Sequence, residues 1–357
     1  MYDDKRFLTA KEILENKDLE KSNFFNKSIY DEYVKKNASF LILIGENPDI
    51  MNDIDNEKID YSSKIIRTTK PLYRKGQDNN TTKWCIAAVA TEDWAKKIFK
   101  KENQKQKLWN TIFEICQVNK ENPIEEWNKK SKIIKERCNK LNKLNIKQMH
   151  YTNSLGTNLY VELSKNTKWL GADEEILNQN VMCNIPTEEI FTSPNRTKTN
   201  GIVYASKPLV YNGCIIEDFY IEFENGKVKN YDAKKGKEIL KSIINGDENS
   251  SYLGECALVP FDNPIENSKI LFYETLFDEN ASCHLALGTG FPSTIDATKK
   301  EKEELLELGL NVSTVHVDFM IGTKDLEIKA KTYEDKEIII FKNGNFNIWQ
   351  NNKFMRK

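Results

Sequence analysis

The chain predicts two domains of different class: an α/β N-terminal domain with a mostly parallel sheet over residues 1–147, and an α+β, strand-rich C-terminal domain over 148–357. Three observations predict this. A length of 357 residues suits two domains of ordinary size. Before residue 147, short continuous apolar runs, "FLILI" (40–44) and "WCIAAVA" (84–90), pair with helical patterns, as strands buried on both faces of a parallel sheet do. After residue 148, alternation and turn residues dominate, as in "FYIEFENGKVKNYDA" with Asn225-Gly226 at the turn of a hairpin.

The elements follow in order. "SIYDEYVKK" is a helical pattern leading into "SFLILIGE". "TEDWAKKIF" opens with Thr91, a residue type that caps helices. Two longer helices follow, the second with Asn122 as N-cap and Pro123 in its first turn. Trp127, Ile134, Cys138 and Leu141 fall on one face of it, and Lys129, Lys130, Lys132, Lys135 and Lys140 on the other. That basic face reads as solvated, with a nucleic-acid or interaction module as the alternative. In the second part, "YTNSLGTNLYVELS" gives a turn and then alternation, and "KGKEILKSII" gives a helix. "LGECALVP" and "KILFYETLF" read as strands, "KEKEELLELGL" as a helix ending at a glycine, "STVHVDFMIG" as a strand, and "TYEDKEIIIFKNGNFNIW" as closing hairpin structure.

Composition excludes several classes. With 53 basic and 54 acidic side chains the net charge is −1, so bulk charge does not favour nucleic acid. The longest apolar run, "FLILI", is far short of the roughly 20 residues of a membrane span. The start, "MYDDKRFLTAKEI", has no signal-peptide pattern. The seven cysteines are scattered, with no C-x-x-C pair, as expected of reduced thiols in a cytoplasmic protein.

Four segments of the second part carry acids or histidines. In "VHVDFM", a strand projects His316 and Asp318 from one face, which suits part of a metal site or a hydrogen-bonded surface pair. "LGECALVP" sets Glu255 in an apolar run, where a lone carboxylate needs a cation unless it reaches water at the strand end. "DENASCHLALG" offers Glu279 and His284, which meet if "DEN" is a loop and "ASCHLALG" starts a helix. "NIPTEEIFTSPNRT" holds Glu188 and Glu189 between prolines, as an acid fixed in place or as part of a charged surface loop. Glu189, Glu255, Glu279, His284, His316 and Asp318 together suit two divalent ions sharing a carboxylate and a water. The remaining histidine, His150, is expected to have a core or hydrogen-bonded role.

These segments, in this order, resemble the motifs of the thermophilic metallo-aminopeptidase family, the aminopeptidase T, aminopeptidase S and PepS type. "HYTNSLGTNL" and, more loosely, "WNTIFEICQVNKENPIEEW" extend the resemblance over nearly the whole chain. It implies a cytoplasmic, homodimeric exopeptidase acting on peptides with a free N-terminus, with no nucleic-acid or membrane partner. It implies Glu189, Glu255, Glu279, His284, His316 and Asp318 as ligands of two divalent ions (Zn, Co or Mn), Glu255 serving both. A water between the ions would attack the first peptide carbonyl, and Glu188 is assigned to carry the proton to the leaving amine. Two departures stand out. Phe291 in "GTGFP" occupies a place where the family usually has Tyr, and the usual first helix-strand unit is missing before "YDDKRFLTAKEI". They motivate the alternative of a non-catalytic relative that binds metal or peptide.

Overall fold

The structure is a computed structural model, and it describes residues 19–50, 54, 70–165 and 167–348. The opening stretch "MYDDKRFLTAKEI", where the resemblance begins, lies outside the described residues. Two compact units are present. The first takes the described residues up to Phe113 with 173–185 and 210–214, and the second takes 114–172, 186–209 and the described residues from Ile215 on. This differs from a single boundary after residue 147. The helix Pro123–Asn142 packs with the strand-rich unit, where Ile134, Cys138 and Leu141 are buried and Asn142 bonds both backbone groups of Trp169.

In the first unit, α1 (Leu19–Lys35), β1 (Phe40–Ile44), α2 (Pro71–Asp78), β2 (Trp84–Ala88) and α3 (Glu92–Phe99) alternate as expected. β1 pairs parallel with β2, and the short strand Asn184–Ile185 pairs parallel with β2 on its other side. Thr91 caps α3, its hydroxyl accepting from the Trp94 amide. The expected burial of β1 on both faces is corrected: Leu41 and Leu43 are 65% and 58% exposed. Among the described residues β1 is an edge strand, and a continuous apolar run does not by itself fix how many faces are covered.

The second unit contains α4 (Pro123–Asn142), β3 (Ile146–Thr152), β4 (Asn158–Leu163), β5 (Ile190–Thr192), β6 (Pro194–Tyr204), β7 (Cys214–Glu224), β8 (Lys227–Lys235) and α5 (Lys237–Ile244). It continues through β9 (Leu253–Leu258), α6 (Thr275–Asn280), β10 (His284–Gly288), β11 (His316–Met320), β12 (Glu327–Thr332), β13 (Glu337–Lys342) and β14 (Asn345–Phe346). A large sheet runs β7-β6-β4-β3-β12-β13-β14, each neighbouring pair antiparallel. β8 joins β7 through the expected hairpin, with Asn225 and Gly226 both at positive φ. A smaller antiparallel sheet runs β11-β10-β9-β5.

Two assignments change in this unit. "KILFYETLF" is a loop entering α6 rather than a strand, because the buried Asp278 carboxylate accepts the Phe272 and Glu274 amides and turns the backbone. "DEN" ends α6 and "HLALG" forms β10, the reverse of the loop-then-helix order.

Candidate metal centre

The smaller sheet explains how separate motifs meet. Residues opposite one another on antiparallel strands share a face. Glu255 lies opposite Ala286, Ala286 opposite Asp318, Gly288 opposite His316, and Ala257 opposite His284. One face therefore carries Glu255, His284, His316 and Asp318, with small residues between them leaving room for the longer side chains. On the other face Cys256, Leu285 and Phe319 line up and are buried, fixing the register hydrophobically. β9 is bulged between Leu253 and Glu255. A Cβ on Gly254 would stand 2.1 Å from the Thr289 carbonyl oxygen, so glycine is needed where the chain passes that close.

The side chains form two triads, Glu189-Glu255-His284 and Glu255-His316-Asp318, each with ligand atoms within 4.8 Å of one another. Glu255 belongs to both. His284 Nε2 lies 3.2 Å from Glu189 Oε2, and His316 Nε2 lies 3.3 Å from Glu255 Oε2 and 3.4 Å from Asp318 Oδ1. Glu279 is in neither triad, but its charge is felt by the group, and its backbone carbonyl accepts from His284 Nδ1 at 3.0 Å. Glu188 is likewise in neither triad. It pairs with Lys130 of α4, while its amide donates to Asn280 Oδ1 at 2.8 Å. The loop is buried, Glu188 and Glu189 being 7% and 8% exposed, so it is not a charged surface loop.

The donor set fits cations. Backbone carbonyls only accept, so His284 Nδ1 facing Glu279 O and His316 Nδ1 facing Thr289 O each carry the proton. Each Nε2 then faces carboxylate oxygens with a lone pair, an arrangement that needs a proton or a metal ion between. Asp318 Oδ1 is buried without a hydrogen-bond partner, since its approach to His316 lacks hydrogen-bond alignment. Glu189, Glu255, Glu279 and Asp318 bring four negative charges, and two divalent ions would balance them.

The titration behaviour has the same cause. Burial pushes the Glu255 carboxyl up to about 7 against the pull of His316. Burial, with repulsion from Asp318 and Glu189, holds Glu279 well above the usual carboxylate range. Burial opposes charge on both imidazoles, yet the surrounding carboxylates hold His284 and His316 well above the ordinary value.

Two features escaped the sequence reading. Lys130 is not on a solvated face, because its side chain is 13% exposed against Glu188. The spacing Trp127, Lys130, Ile134 already placed it on the apolar stripe. Asn280, wholly buried, had no signal beyond its place beside Glu279. Phe291 packs its ring edge-on to His316 at 5.2 Å and against Phe191 at 5.0 Å. His150 has the hydrogen-bonded role expected, 2.7 Å from Asn158 Oδ1 on the large sheet. Among the described residues no helix is long and apolar enough to cross a membrane.

Buried carboxylates and imidazoles sharing one sheet face are the equipment of a metal-dependent hydrolase. The model of the family described as thermophilic metalloprotease (M29) matches residues 2–346. The chain is 40% identical to aminopeptidase AmpS of Bacillus subtilis (strain 168), over 88% of its own length and 78% of that protein's. It is 34% identical to aminopeptidase PepS of Streptococcus thermophilus, over 96% and 83%. Wild-type AmpT from Thermus thermophilus has the same fold, with a TM-score of 0.82 and 29% identity over 90% of this chain and 80% of that one. The chain belongs to the thermophilic metalloprotease (M29) family, the metallo-aminopeptidase family its motifs resemble, and is a metal-dependent hydrolase.

Proposed function

We propose that the chain is an aminopeptidase that hydrolyses the first bond of peptides with a free N-terminus, at a dinuclear centre in its second unit. The observation that carries this is the pair of triads sharing Glu255. Glu189 and His284 would hold one ion, His316 and Asp318 the other, and Glu255 both, with Glu279 completing the set. The nitrogen and oxygen donors suit Zn, Co or Mn. Bound there, two such ions would supply Lewis acidity, lowering the pKa of a water and polarising a carbonyl.

The chain's own residues do the remaining work. Glu279 O and Thr289 O fix the two imidazoles through their Nδ1 protons, keeping each Nε2 aimed inward. The acidic surroundings suit the α-ammonium group of a peptide. Glu188 is assigned to move the proton to the leaving amine. Lys130 holds its carboxylate, and burial pushes its pKa up while Lys130 and Arg137 pull it back. A cytoplasmic homodimer belongs to the same reading, and sedimentation equilibrium tests the dimer.

The deciding experiment strips the protein with a chelator and restores Zn, Co or Mn. It then follows release of nitroaniline from aminoacyl-nitroanilides beside elemental analysis. Release with two ions bound per chain is expected. Two ions bound and no release with any metal would mean a non-catalytic relative, and no metal bound at all would remove the reading.

A further inference from the structure

We propose that Asn280 is a positioning residue that ties two candidate ligands together and sets how tightly the centre holds its ions. The inference rests on the metal-centre reading above. Asn280 ends α6 and is 0% exposed. Its Oδ1 accepts from the Glu188 amide at 2.8 Å, one residue before Glu189. Its Nδ2 donates to Leu276 O at 2.9 Å and lies 3.4 Å from Glu279 Oε1. One amide thus anchors the loop that carries Glu189 and reaches the carboxylate of Glu279.

Residues 186–189 belong to no helix or strand, and the ladder of β5 holds Glu189 only from its C-terminal side, beginning at Ile190 opposite Leu258. The Asn280 bond anchors the N-terminal side, and the bond to Leu276 O fixes the rotamer from which it is made. The chemistry requires an amide. Aspartate would keep the acceptor for the Glu188 amide, but it would lose the donor to Leu276 O and add a negative charge beside Glu279. Alanine would leave the buried Glu188 amide without this partner. Groups that hold the ligands of a metal typically alter its affinity about 10- to 100-fold when removed.

Asn263 is a fitting control. It is 3% exposed, accepts from the Ile265 and Glu266 amides, and donates to Pro260 O and Ala281 O. None of those partners is a candidate ligand. Full-length wild type, Asn280→Ala, Asn280→Asp and Asn263→Ala are stripped of metal and titrated with Zn by calorimetry. Their Co-loaded forms are compared by visible absorption, which reports ligand geometry. Asn280→Ala should bind at least one ion about 10- to 100-fold more weakly, and both Asn280 variants should change the Co spectrum. Asn263→Ala should lower the melting temperature and leave affinity and spectrum alone. If Asn280→Ala does not fold, the Co spectrum of Asn280→Asp, equal in size but without the donor to Leu276 O, decides. Wild-type affinity and spectrum in the folded Asn280 variants would overturn the proposal, as would an equal loss of affinity in Asn263→Ala. Failure of wild type to bind any ion would instead remove the metal-centre reading.

Discussion

On the large sheet, β3 places His150 between Tyr160 of β4 and Lys329 of β12; on the smaller sheet, β11 places His316 opposite Gly288 of β10. His150 stacks on Tyr160 with ring centres 4.0 Å apart, and its Nε2 meets the neutral amide of Asn158. His316 has no side chain opposite it, so its ring reaches the carboxylates of Glu255 and Asp318. Both are strand histidines of one unit. Their cross-strand neighbours decide the outcome: large partners fill the space in one sheet, while glycine and alanine leave room for converging ligands in the other.

The largest difference should appear on removing one charge. Glu255→Gln keeps the size of the side chain shared by both triads. It should bind at most one ion per chain by elemental analysis, and activity should fall by roughly 10²–10³-fold or more. His150→Ala should keep both ions and cost about 1 kcal/mol or less in denaturant unfolding. Retention of two ions and full activity by Glu255→Gln would remove the functional contrast between the sheets.

Backbone crowding sharpens the comparison at the next level. An added Cβ would stand 2.1 Å from Thr289 O at Gly254, and 2.2 Å from Asn158 O at Gly201, which has φ of 113°. Thr289 O accepts from His316 Nδ1, whereas Asn158 is the partner of His150. Both Gly→Ala changes should destabilise by about 1–3 kcal/mol through overpacking, with added backbone strain at Gly201. Only Gly254→Ala should also weaken metal binding, by about 10-fold or more. Equal metal affinity in the two variants would mean that Thr289 does not hold His316 in a way that matters.

The same contrast shows why some of the molecule was legible in the sequence. Strand alternation put His316 and Asp318 on one face, and "NG" marked the hairpin at Asn225, because both are local properties. The ordered motifs then pointed to all six candidate ligands. Register was not legible: that Ala286 separates Glu255 from Asp318 depends on pairing across β10, which no local pattern encodes. The helix expected at "ASCHLALG" failed for a related reason, since β10 is held by two partner strands. Lys130 was misplaced because charge was allowed to outweigh helical spacing, and its partner Glu188 is far away in sequence. Residues 269–274 are apolar enough for a strand, but the single carboxylate of Asp278 captures their amides.

The smallest effect separates the loops that flank the two histidine-bearing strands. Asn153 Oδ1 holds the turn after β3, accepting from the Leu155 and Thr157 amides. Asp247 holds the loop before β11, accepting from the Thr314 amide and from the Ser313 and Thr314 hydroxyls. The Thr157 amide rests on an amide oxygen, which does not titrate, and the Thr314 amide on a carboxylate, which does; in the same turn as Thr157 it is the Ser154 amide that rests on a carboxylate, that of Asp325. Burial pushes Asp247 up, but the bonds from Thr314, Asn249 and Ser313 outweigh it and hold its pKa below the usual value. A carboxyl depressed on folding binds fewer protons folded than unfolded, so its stabilisation is present above the unfolded pKa of about 4 and is lost as pH falls through the folded value. Hydrogen-exchange protection at Thr314 should therefore fall on acidification below about pH 4, while that at Thr157 stays level. Asp247→Asn should flatten the Thr314 response. If both amides lose protection together in wild type, acid is opening the unit as a whole, and the carboxylate clamp is not what distinguishes the loop ahead of His316.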